Sequence, residues 1–248
     1  MIEAKNITKA FGDRTVLDDI SARFDRGKTN LIIGASGSGK TTLSKCIVGL
    51  HEPNDGAVYY DGRNFTAMNL KERKEIRKEI GFLFQGSALF DSMTVEENIR
   101  FPMEMFTKRS AKEMRDRVDY CLERVDMKGA NDLYPSELSG GMKKRVGIAR
   151  AISMDPKYLF CDEPNSGLDP LTAILIDNLI AGITADLDIT TIVITHDMNS
   201  VMEIGSNIIF LHKGKKWWEG NKEEMLKTDN QEVIDFVYAS EYMKAIRK

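Results

Sequence analysis

Short, largely apolar runs recur along the chain and alternate with segments of helical periodicity. Three of these runs, at residues 30–33, 158–161 and 191–195, are rich in β-branched or aromatic side chains. Such runs predict buried strands of an α/β sheet. Residues 80–84 have the same character, and we expect them to form a further buried strand that ends at Gln85.

Two other patterns predict antiparallel strands. Residues 2–24 form two short strands with polar alternation on either side of the turn at Gly12, which predicts an antiparallel sheet. Residues 207–218 contain two runs around a turn, and we expect a hairpin that closes the α/β sheet. Because Trp217 and Trp218 are consecutive, only one of them can face inward, and the other is a candidate interface residue.

The segment between residues 86 and 154 is helical in its periodicity. Thr94 with Glu97 and Ser110 with Glu113 form capping boxes, which predict the starts of two helices. The apolar positions of the second helix lie at helical spacing and predict core packing; they are Met114, Val118, Cys121, Leu122 and Val125.

A cluster of soft apolar side chains in the same segment has two interpretations. Met103 and Met105 lie beside Phe101 and Phe106 and flank Pro102. These side chains either pack in the core or form an exposed surface of the kind that receives a partner helix.

The composition predicts one substantial core with a smaller appended lobe. The chain has 248 residues, 42% of them hydrophobic and 29% charged, and a formal net charge of −3, so nothing in the overall charge favours a nucleic-acid partner. Cys46, Cys121 and Cys161 have no paired spacing and predict buried reduced thiols of the cytosol. We find no signal peptide and no apolar run near the ~18 residues of a membrane span, so we expect any membrane work to be done through a partner.

A glycine-rich turn follows the predicted strand at residues 30–33 and precedes a predicted helix at residues 41–50. Gly34, Gly37 and Gly39 can adopt backbone angles that are closed to other residues, so that successive N–H groups point at an anion. The positive end of the following helix adds to this field. The turn therefore predicts a phosphate cradle, and a merely flexible glycine loop is the alternative.

The two residues after the turn complete this prediction. Lys40 can reach the β- and γ-phosphates of a nucleotide, and the hydroxyl of Thr41 can ligate the Mg²⁺ that bridges them. The pattern G-x-x-x-x-G-K-[ST] therefore predicts a magnesium nucleotide as ligand.

Polar side chains follow the other predicted strands, where ligands gather in an α/β sheet. Asp162 can hold the water shell of Mg²⁺, and Glu163, which points the other way, can orient a water molecule against the γ-phosphate. Gln85 and His196 end two further strands. His196 can sense or stabilise charge on the transferred group, and a structural histidine is the alternative.

Three further positions carry candidate chemistry. Ser139 and its two following glycines precede a helix. Like the glycine-rich turn, they can offer backbone donors and a helix dipole to an anion, although a simple N-cap is the alternative. Asp169 is a candidate N-cap, with Pro170 at the first helical position. Phe11 precedes a turn, where its ring can stack on an adenine or pack in the core.

Taken in chain order, the segments with candidate chemistry resemble the motifs of the ATP-binding-cassette (ABC) ATPases, and the resemblance covers nearly the whole chain. The corresponding motifs are Walker A (residues 34–42), the Q-loop (Gln85), the signature (residues 138–141), Walker B with its glutamate (residues 158–163), the D-loop (residues 166–169) and the H-loop (His196). The resemblance implies an α/β P-loop NTPase fold. Its parts would be a RecA-like core with an antiparallel β subdomain (residues 1–85 and 158–220), a helical subdomain (residues 86–157) and a C-terminal helical tail (residues 221–248).

The resemblance also implies ATP and Mg²⁺ as ligands and assigns the site residues. Those implied to contact nucleotide are Phe11, Gly34, Ala35, Ser36, Gly37, Ser38, Gly39, Lys40, Thr41, Thr42, Gln85, Ser139, Gly140, Gly141, Asp162 and Asp169. The implied metal ligands are Thr41, Gln85 and Asp162, and the implied catalytic residues are Glu163, His196 and Lys40. In this family the signature of one subunit completes the site of the other, so the single copy of each motif predicts a homodimer with ATP buried between the two copies.

A narrower resemblance concerns the cargo. Met142 stands where the family most often has glutamine, and residues 138–151 together with residues 87–98 look like the ATPases of the Mla-type phospholipid and Mce-type lipid transporters. This implies an integral-membrane permease of the MlaE kind that docks near Gln85 and Met103, and a lipid-binding Mce-domain protein in the same complex. The chain would then lie on the cytoplasmic face of the inner membrane.

Two other functions remain open. One is an ATPase for a polar solute such as an amino acid, and the other is an ABC ATPase that acts on DNA or ribosomes. The second is disfavoured because this chain has one cassette and no room for a long coiled-coil insertion.

Overall fold

The computed structural model describes residues 1–238, and residues 239–248 of the predicted tail lie outside the described part. The strands are β1 (Ile2–Phe11), β2 (Arg14–Phe24), β3 (Thr29–Ile33), β4 (Asp55–Tyr60), β5 (Arg63–Asn64), β6 (Ile80–Leu83), β7 (Tyr158–Asp162), β8 (Thr190–Ile194), β9 (Asn207–His212) and β10 (Lys215–Gly220). The helices are α1 (Lys40–Ile47), α2 (Leu70–Lys78), α3 (Val95–Phe106), α4 (Ala111–Arg124), α5 (Gly140–Ile152), α6 (Pro170–Asp186), α7 (Met198–Ile204), α8 (Lys222–Leu226) and α9 (Gln231–Val237). None of these helices combines the length and the apolar character that a membrane crossing needs.

The larger sheet has the strand order β10-β9-β3-β8-β7-β6, in which β10 is antiparallel to β9 and the other neighbours are parallel. The central strands β3 and β8 are buried at every position, as their apolar runs predict. The expectation of a buried strand at residues 80–84 is wrong in part. Strand β6 lies at the edge of the sheet, alternates between half-buried and buried residues, and is followed by an exposed Phe84.

The smaller sheet has the order β2-β1-β4-β5 and is antiparallel, as the alternation in residues 2–24 predicts. Its inner face packs on the larger sheet and on helix α1. Consecutive side chains of β3 point to opposite faces of the larger sheet. Ile32 faces the smaller sheet, whereas Leu31 and Ile33 face the helices on the other side, because side chains of a strand alternate between its faces.

Helices α3, α4 and α5 form the helical part of the molecule. Both predicted capping boxes are present, since Thr94 and Ser110 each cap a helix whose third residue returns a carboxylate to the cap. The predicted stripe of α4 is core: four of its five residues are buried and Met114 packs against them. The exposed-surface interpretation is wrong for Met103, which is fully buried, and holds for Met105 and Phe106, which are exposed.

The three cysteines are free and buried, as their spacing predicts. Burial raises the pKa of the Cys46 and Cys121 thiols to about 11 and raises the pKa of Cys161 further still. At neutral pH these side chains are therefore protonated and unreactive. The predicted hairpin of β9 and β10 is also present, with Trp217 exposed and Trp218 packed against the core.

Helix α6 carries a buried carboxylate where it packs against α7. Asp177 is 1% exposed, and its Oδ1 has no hydrogen-bond partner among residues 1–238. Burial raises the pKa of Asp177 to about 6; the polar groups of Ser200 and Asn165 act in the opposite direction, and the charges of Asp197 and Glu203 raise it. The charged form of Asp177 is therefore a cost to folding at neutral pH.

We expect Asp177→Asn to stabilise the protein at neutral pH. Because the folded-state pKa of about 6 lies above the ordinary value of 3.8, the folded protein binds more protons than the unfolded chain between these values. Stability therefore falls as pH rises through this window, and the variant removes that loss, on the order of 2 kcal/mol at pH 7.5 and little at pH 4. Thermal unfolding at both pH values, with the exposed Asp116→Asn as control, tests this; equal shifts at both pH values would contradict it.

Candidate functional site

Four parallel strands of the larger sheet end at the same edge, and a predicted site residue stands at each end. Gly34 follows β3, Gln85 lies two residues after β6, Asp162 ends β7 with Glu163 next, and His196 lies two residues after β8. In a parallel sheet these carboxyl ends lie side by side. The order β3-β8-β7-β6 therefore gathers the predicted residues along one line.

The glycine loop after β3 has the backbone conformation that the sequence predicts. Gly34, Gly37 and Gly39 have φ angles of 146°, 79° and 106°. Gly39 is the N-cap of α1, and no side chain caps the free N–H groups of that helix. An uncapped helix start beside a glycine loop is a binding site for an anion such as phosphate.

Lys40 is the first residue of α1 and is 7% exposed. Its ammonium donates hydrogen bonds to the carbonyls of Gly34 at 2.7 Å and Ala35 at 3.1 Å. Burial lowers the pKa of Lys40, while the charges of Glu163 and Asp162 raise it. The site therefore holds a partly desolvated cation opposite two carboxylates, which fits a ligand with its own negative charge.

Asp162 is the matching anion and is half-buried. Burial raises its pKa and the neighbouring Glu163 adds to this rise, whereas Lys45, Lys40 and Lys144 lower it. Its buried Oδ1 has no hydrogen-bond partner in the described chain. A buried, unsatisfied carboxylate oxygen is a ligand that Mg²⁺ prefers, so the residues present fit this metal.

Glu163 and His196 contact each other directly. Oε1 of Glu163 lies 2.8 Å from Nδ1 of His196, and the carboxylate is largely buried while the imidazole is exposed. An ionised carboxylate only accepts, so Nδ1 carries the hydrogen and Nε2 is left for another partner. Glu163 has a φ angle of 48°, and its N–H donates to the Ile194 carbonyl at 2.9 Å, which fixes this position.

The Q-loop and the D-loop meet beside this pair. The amide Nε2 of Gln85 lies 3.4 Å from Oγ of Ser166, and the N–H of Ser166 donates to the Glu163 carbonyl at 3.2 Å. The structure therefore brings Gln85 to the same edge as Glu163.

The signature residues lie at the start of α5, beside the D-loop and the start of α6. Ser139 caps α5 by accepting from the Met142 N–H at 3.3 Å, and both Ser139 and Gly140 are exposed. A Cβ at Gly140 would lie 3.5 Å from Cδ2 of Leu168, and Asp169 caps α6. No hydrogen bond within residues 1–238 joins Ser139 to the glycine loop.

Phe11 is not part of a core. Its ring is 47% exposed, meets the His51 ring edge-on at 5.3 Å and lies 5.0 Å from the Lys9 ammonium. The core-packing alternative is therefore wrong, and stacking on an adenine stays a prediction.

The sequence reasoning missed two cations of α5 that reach the same edge. Lys144 donates to the carbonyls of Gln85 and Glu163, and Arg150 donates to those of Ser87 and Ala88. A signal was present for the first of them. Lys144 lies four residues before Ile148 on the apolar face of its helix, where a charged residue needs a buried partner.

This fold and this site define a P-loop ATPase of the ATP-binding-cassette class. The family model described as "ABC transporter" matches residues 17–166, which is more than half of the chain. The chain belongs to this family and is the ATPase subunit of an ABC transporter.

Relatives with different cargoes match over most of the chain. The phospholipid transport ATP-binding protein MlaF of Haemophilus influenzae is 38% identical over 237 residues, which cover 96% of this chain and 90% of MlaF. The probable ribonucleotide transport ATP-binding protein mkl of Mycobacterium leprae is 37% identical, with 95% and 68% covered. The methionine import ATP-binding protein MetN of Desulfitobacterium hafniense is 41% identical, with 91% and 67% covered.

Two solved structures share the fold. A dimeric structure of MJ0796, a bacterial ABC transporter cassette, has a TM-score of 0.81 at 32% identity and covers 89% of this chain and 98% of its own. A second dimeric structure of MJ0796 is a post-hydrolysis state bound to ADP and Pi, with a TM-score of 0.80. These likenesses confirm the predicted ABC ATPase fold and support ATP as the ligand.

We expect Gly34→Ala to be much more damaging than Gly37→Ala. A Cβ at Gly34 would lie 2.2 Å from the Leu211 carbonyl oxygen, whereas one at Gly37 meets no described atom within 4 Å. Both residues have positive φ, so Gly37→Ala costs only backbone strain of about 1–2 kcal/mol. Thermal unfolding and ATP binding by both variants test this prediction; equal losses would show that strain alone decides the outcome.

Proposed function

We propose that the chain binds ATP with Mg²⁺ at the strand edge described above and hydrolyses it with Glu163 as the residue that activates water. The observation that carries this proposal is the 2.8 Å contact between Glu163 and His196, at the end of a strand whose last residue is the unsatisfied Asp162. A carboxylate that is fixed by a histidine beside a phosphate site is suited to orient a water molecule.

The glycine loop would hold the phosphates. Its backbone N–H groups and the Lys40 ammonium would contact the phosphate oxygens across residues 34–42, and Phe11 would stack on the adenine. Thr41, Asp162 and Gln85 would hold Mg²⁺, which when bound neutralises phosphate charge and polarises the γ-phosphate. Lys40 would exchange its present carbonyl partners for phosphate oxygens.

Glu163 and His196 would divide the remaining work. The Glu163 carboxylate would accept a hydrogen bond from the attacking water and orient it in line with the γ-phosphate. His196 holds this carboxylate through Nδ1, and its Nε2 would be left to contact the γ-phosphate. Together they would position the water and stabilise the charge on the transferred phosphate group.

A second copy of the chain would complete the site. The start of α5, formed by Ser139, Gly140 and Gly141, offers backbone donors and a helix dipole, and no hydrogen bond within residues 1–238 joins it to the glycine loop. The dimeric likeness of MJ0796 supports a homodimer in which this surface faces the partner's ATP, with Asp169 at the junction.

The parts of the chain would follow the division that the motifs imply. Residues 1–85 and 158–220 would form the nucleotide core with its β subdomain, residues 86–157 the helical subdomain, and residues 221–248 the tail. The buried cluster under the smaller sheet supports a β subdomain, whereas the other cluster joins helices α3, α4 and α5 to strands of the larger sheet and to α6 and α9, so that the helical part shares its core with the nucleotide core.

We expect Glu163→Gln to lower the rate of ATP hydrolysis by about two orders of magnitude or more while ATP still binds, because the amide cannot accept a proton. Steady-state hydrolysis and equilibrium binding of ATP measure the two effects. The exposed Glu75→Gln on α2 is the matched control and should hydrolyse ATP like the parent. Unchanged hydrolysis by Glu163→Gln would remove this residue from the catalytic role.

The cargo that we propose is phospholipid or another lipid of a bacterial envelope. The match to MlaF, which extends over 90% of that relative, and the Met142 variant of the signature support this choice. The membrane partner would be an MlaE-like permease, with a lipid-binding Mce-domain protein in the complex, and the chain would lie on the cytoplasmic face of the inner membrane. The exposed apolar side chains Phe84, Phe90, Met105 and Phe106 support a permease contact beside Gln85.

A polar solute is the second candidate cargo. The MetN relative is 41% identical over 229 residues, which is a higher identity than that of MlaF over a smaller share of the relative. Nucleic acid is not proposed as a partner, since neither the overall charge nor the relatives named above support it.

Reconstitution with the permease distinguishes the two cargoes. We expect the detergent-extracted complex, kept in detergent micelles, to hydrolyse ATP several-fold faster when phospholipid is added than when methionine is added. Phe84→Ser should weaken permease binding, while Tyr120→Ser, which changes an exposed ring on α4, should not. Stimulation by methionine alone, or recovery of ribosomes or nucleic acid in place of a permease, would overturn the lipid proposal.

A further inference from the structure

One buried ammonium links two loops of the site to helix α5. Lys144 is 5% exposed, and its Nζ makes a short hydrogen bond to the Gln85 carbonyl and a second one, of 3.3 Å, to the Glu163 carbonyl. Helix α5 begins at the signature serine and thus carries both an anion site and this contact. A single side chain therefore touches the backbone of two residues to which we have given roles in hydrolysis.

The surroundings of Lys144 do not favour it as a source of stability. Burial lowers its pKa, and no carboxylate within residues 1–238 forms a salt bridge with it. Its hydrogen bonds go to neutral carbonyls. A buried cation without a paired anion costs folding free energy that an apolar side chain of similar length would not cost.

Arg150 makes the same kind of contact less than two turns later. Its guanidinium donates to the carbonyls of Ser87 at 2.6 Å and Ala88 at 2.8 Å, and burial lowers its pKa. Ser87 and Ala88 have φ angles of 61° and 49°, a left-handed conformation that is costly for residues with a Cβ. The two cations together therefore fix the backbone of residues 85–88 in a strained form.

Helix α5 packs closely against the end of β6 and the loop that follows it. A Cβ at Gly147 would lie 2.7 Å from Cδ1 of Leu83 and 3.3 Å from Cβ of Ser87. Glycine lets the helix approach the end of β6 and the following loop. The loop and the helix are thus packed as one unit.

The second partner of Lys144 is also strained. Glu163 has a φ angle of 48°, and its carbonyl accepts from both Lys144 and the Ser166 N–H. The direction of this peptide fixes where the side chain of Glu163 leaves the backbone, and so where its carboxylate meets His196.

We propose that Lys144 is a positioning residue for hydrolysis: it holds the Gln85 and Glu163 carbonyls to the signature helix, so that movement of α5 moves the water-activating carboxylate and the Q-loop together. This inference rests on the proposed role of Glu163. A partner nucleotide that engages Ser139 would therefore be coupled to Glu163 through helix α5.

The test compares Lys144→Met with the parent and with Lys143→Met, a change of the neighbouring lysine. Methionine removes the donors and keeps the length of the side chain. We expect kcat for ATP to fall at least tenfold while KM stays close to that of the parent and the thermal midpoint equals that of the parent or exceeds it, since the buried charge is gone. Lys143→Met should keep the parent's kcat, and Lys144→Arg, which restores donors, should recover much of the loss.

Hydrogen exchange without nucleotide gives a second readout that does not depend on hydrolysis. The amides of residues 85–88 and those of Glu163, Asn165 and Ser166 should exchange several-fold faster in Lys144→Met and at the parent's rate in Lys143→Met. Lys144→Gln, with a shorter neutral donor, should be intermediate in both measurements and replaces the methionine variant if that one does not fold.

The outcomes separate this inference from the proposed function. Unchanged exchange in both loops, faster exchange with unchanged kcat, or equal losses of kcat, ATP binding and thermal midpoint would each overturn the positioning role. If Glu163→Gln hydrolyses ATP like the parent, the proposed function fails by itself, whatever the exchange rates show.

Discussion

Lys40, which is buried, and Asp162, which is half-buried, carry opposite charges at one edge of a parallel sheet, and the rest of the site depends on this pairing. Each loses water on folding, and each is favoured by the charge of the other. Strand register brings them together, because Ile194 of β8 lies opposite both Ile32 of β3 and Asp162 of β7. The register of the central strands therefore sets the distance between the phosphate loop and the carboxylates.

The sequence predicts this arrangement well because its signals are local. Fully apolar runs predict the buried strands β3, β7 and β8, and the polar residue after each run marks the shared edge. The same holds for helix starts. The caps at Thr94, Ser110 and Asp169 depend on side chains within three residues, so a pattern of residue types is enough to predict them.

Features that depend on distant parts of the chain were missed or misjudged. Leu83 of β6 packs in the cluster under the helices and Ile80 and Phe82 pack against the cluster under the smaller sheet, but at the edge of the sheet Ile80 and Phe82 stay half-buried. Met103 faces inward because it continues the i, i+4 series of Val95 and Ile99 on the buried face of α3. This helical spacing decides its position, and the exposed apolar residues next to it in the sequence do not. The carbonyl partners of Lys144 and Arg150 belong to loops 19 to 63 residues away, and no local pattern identifies them.

The burial of every cysteine has a practical consequence for work on this protein. Because Cys46, Cys121 and Cys161 are inaccessible and their thiols stay protonated, maleimide reagents should leave the unmodified chain intact. A cysteine introduced at an exposed position, such as Ser136 just before the signature, then becomes a unique attachment point for a dye. Two such labels can report the approach of one subunit to another without first removing the native thiols.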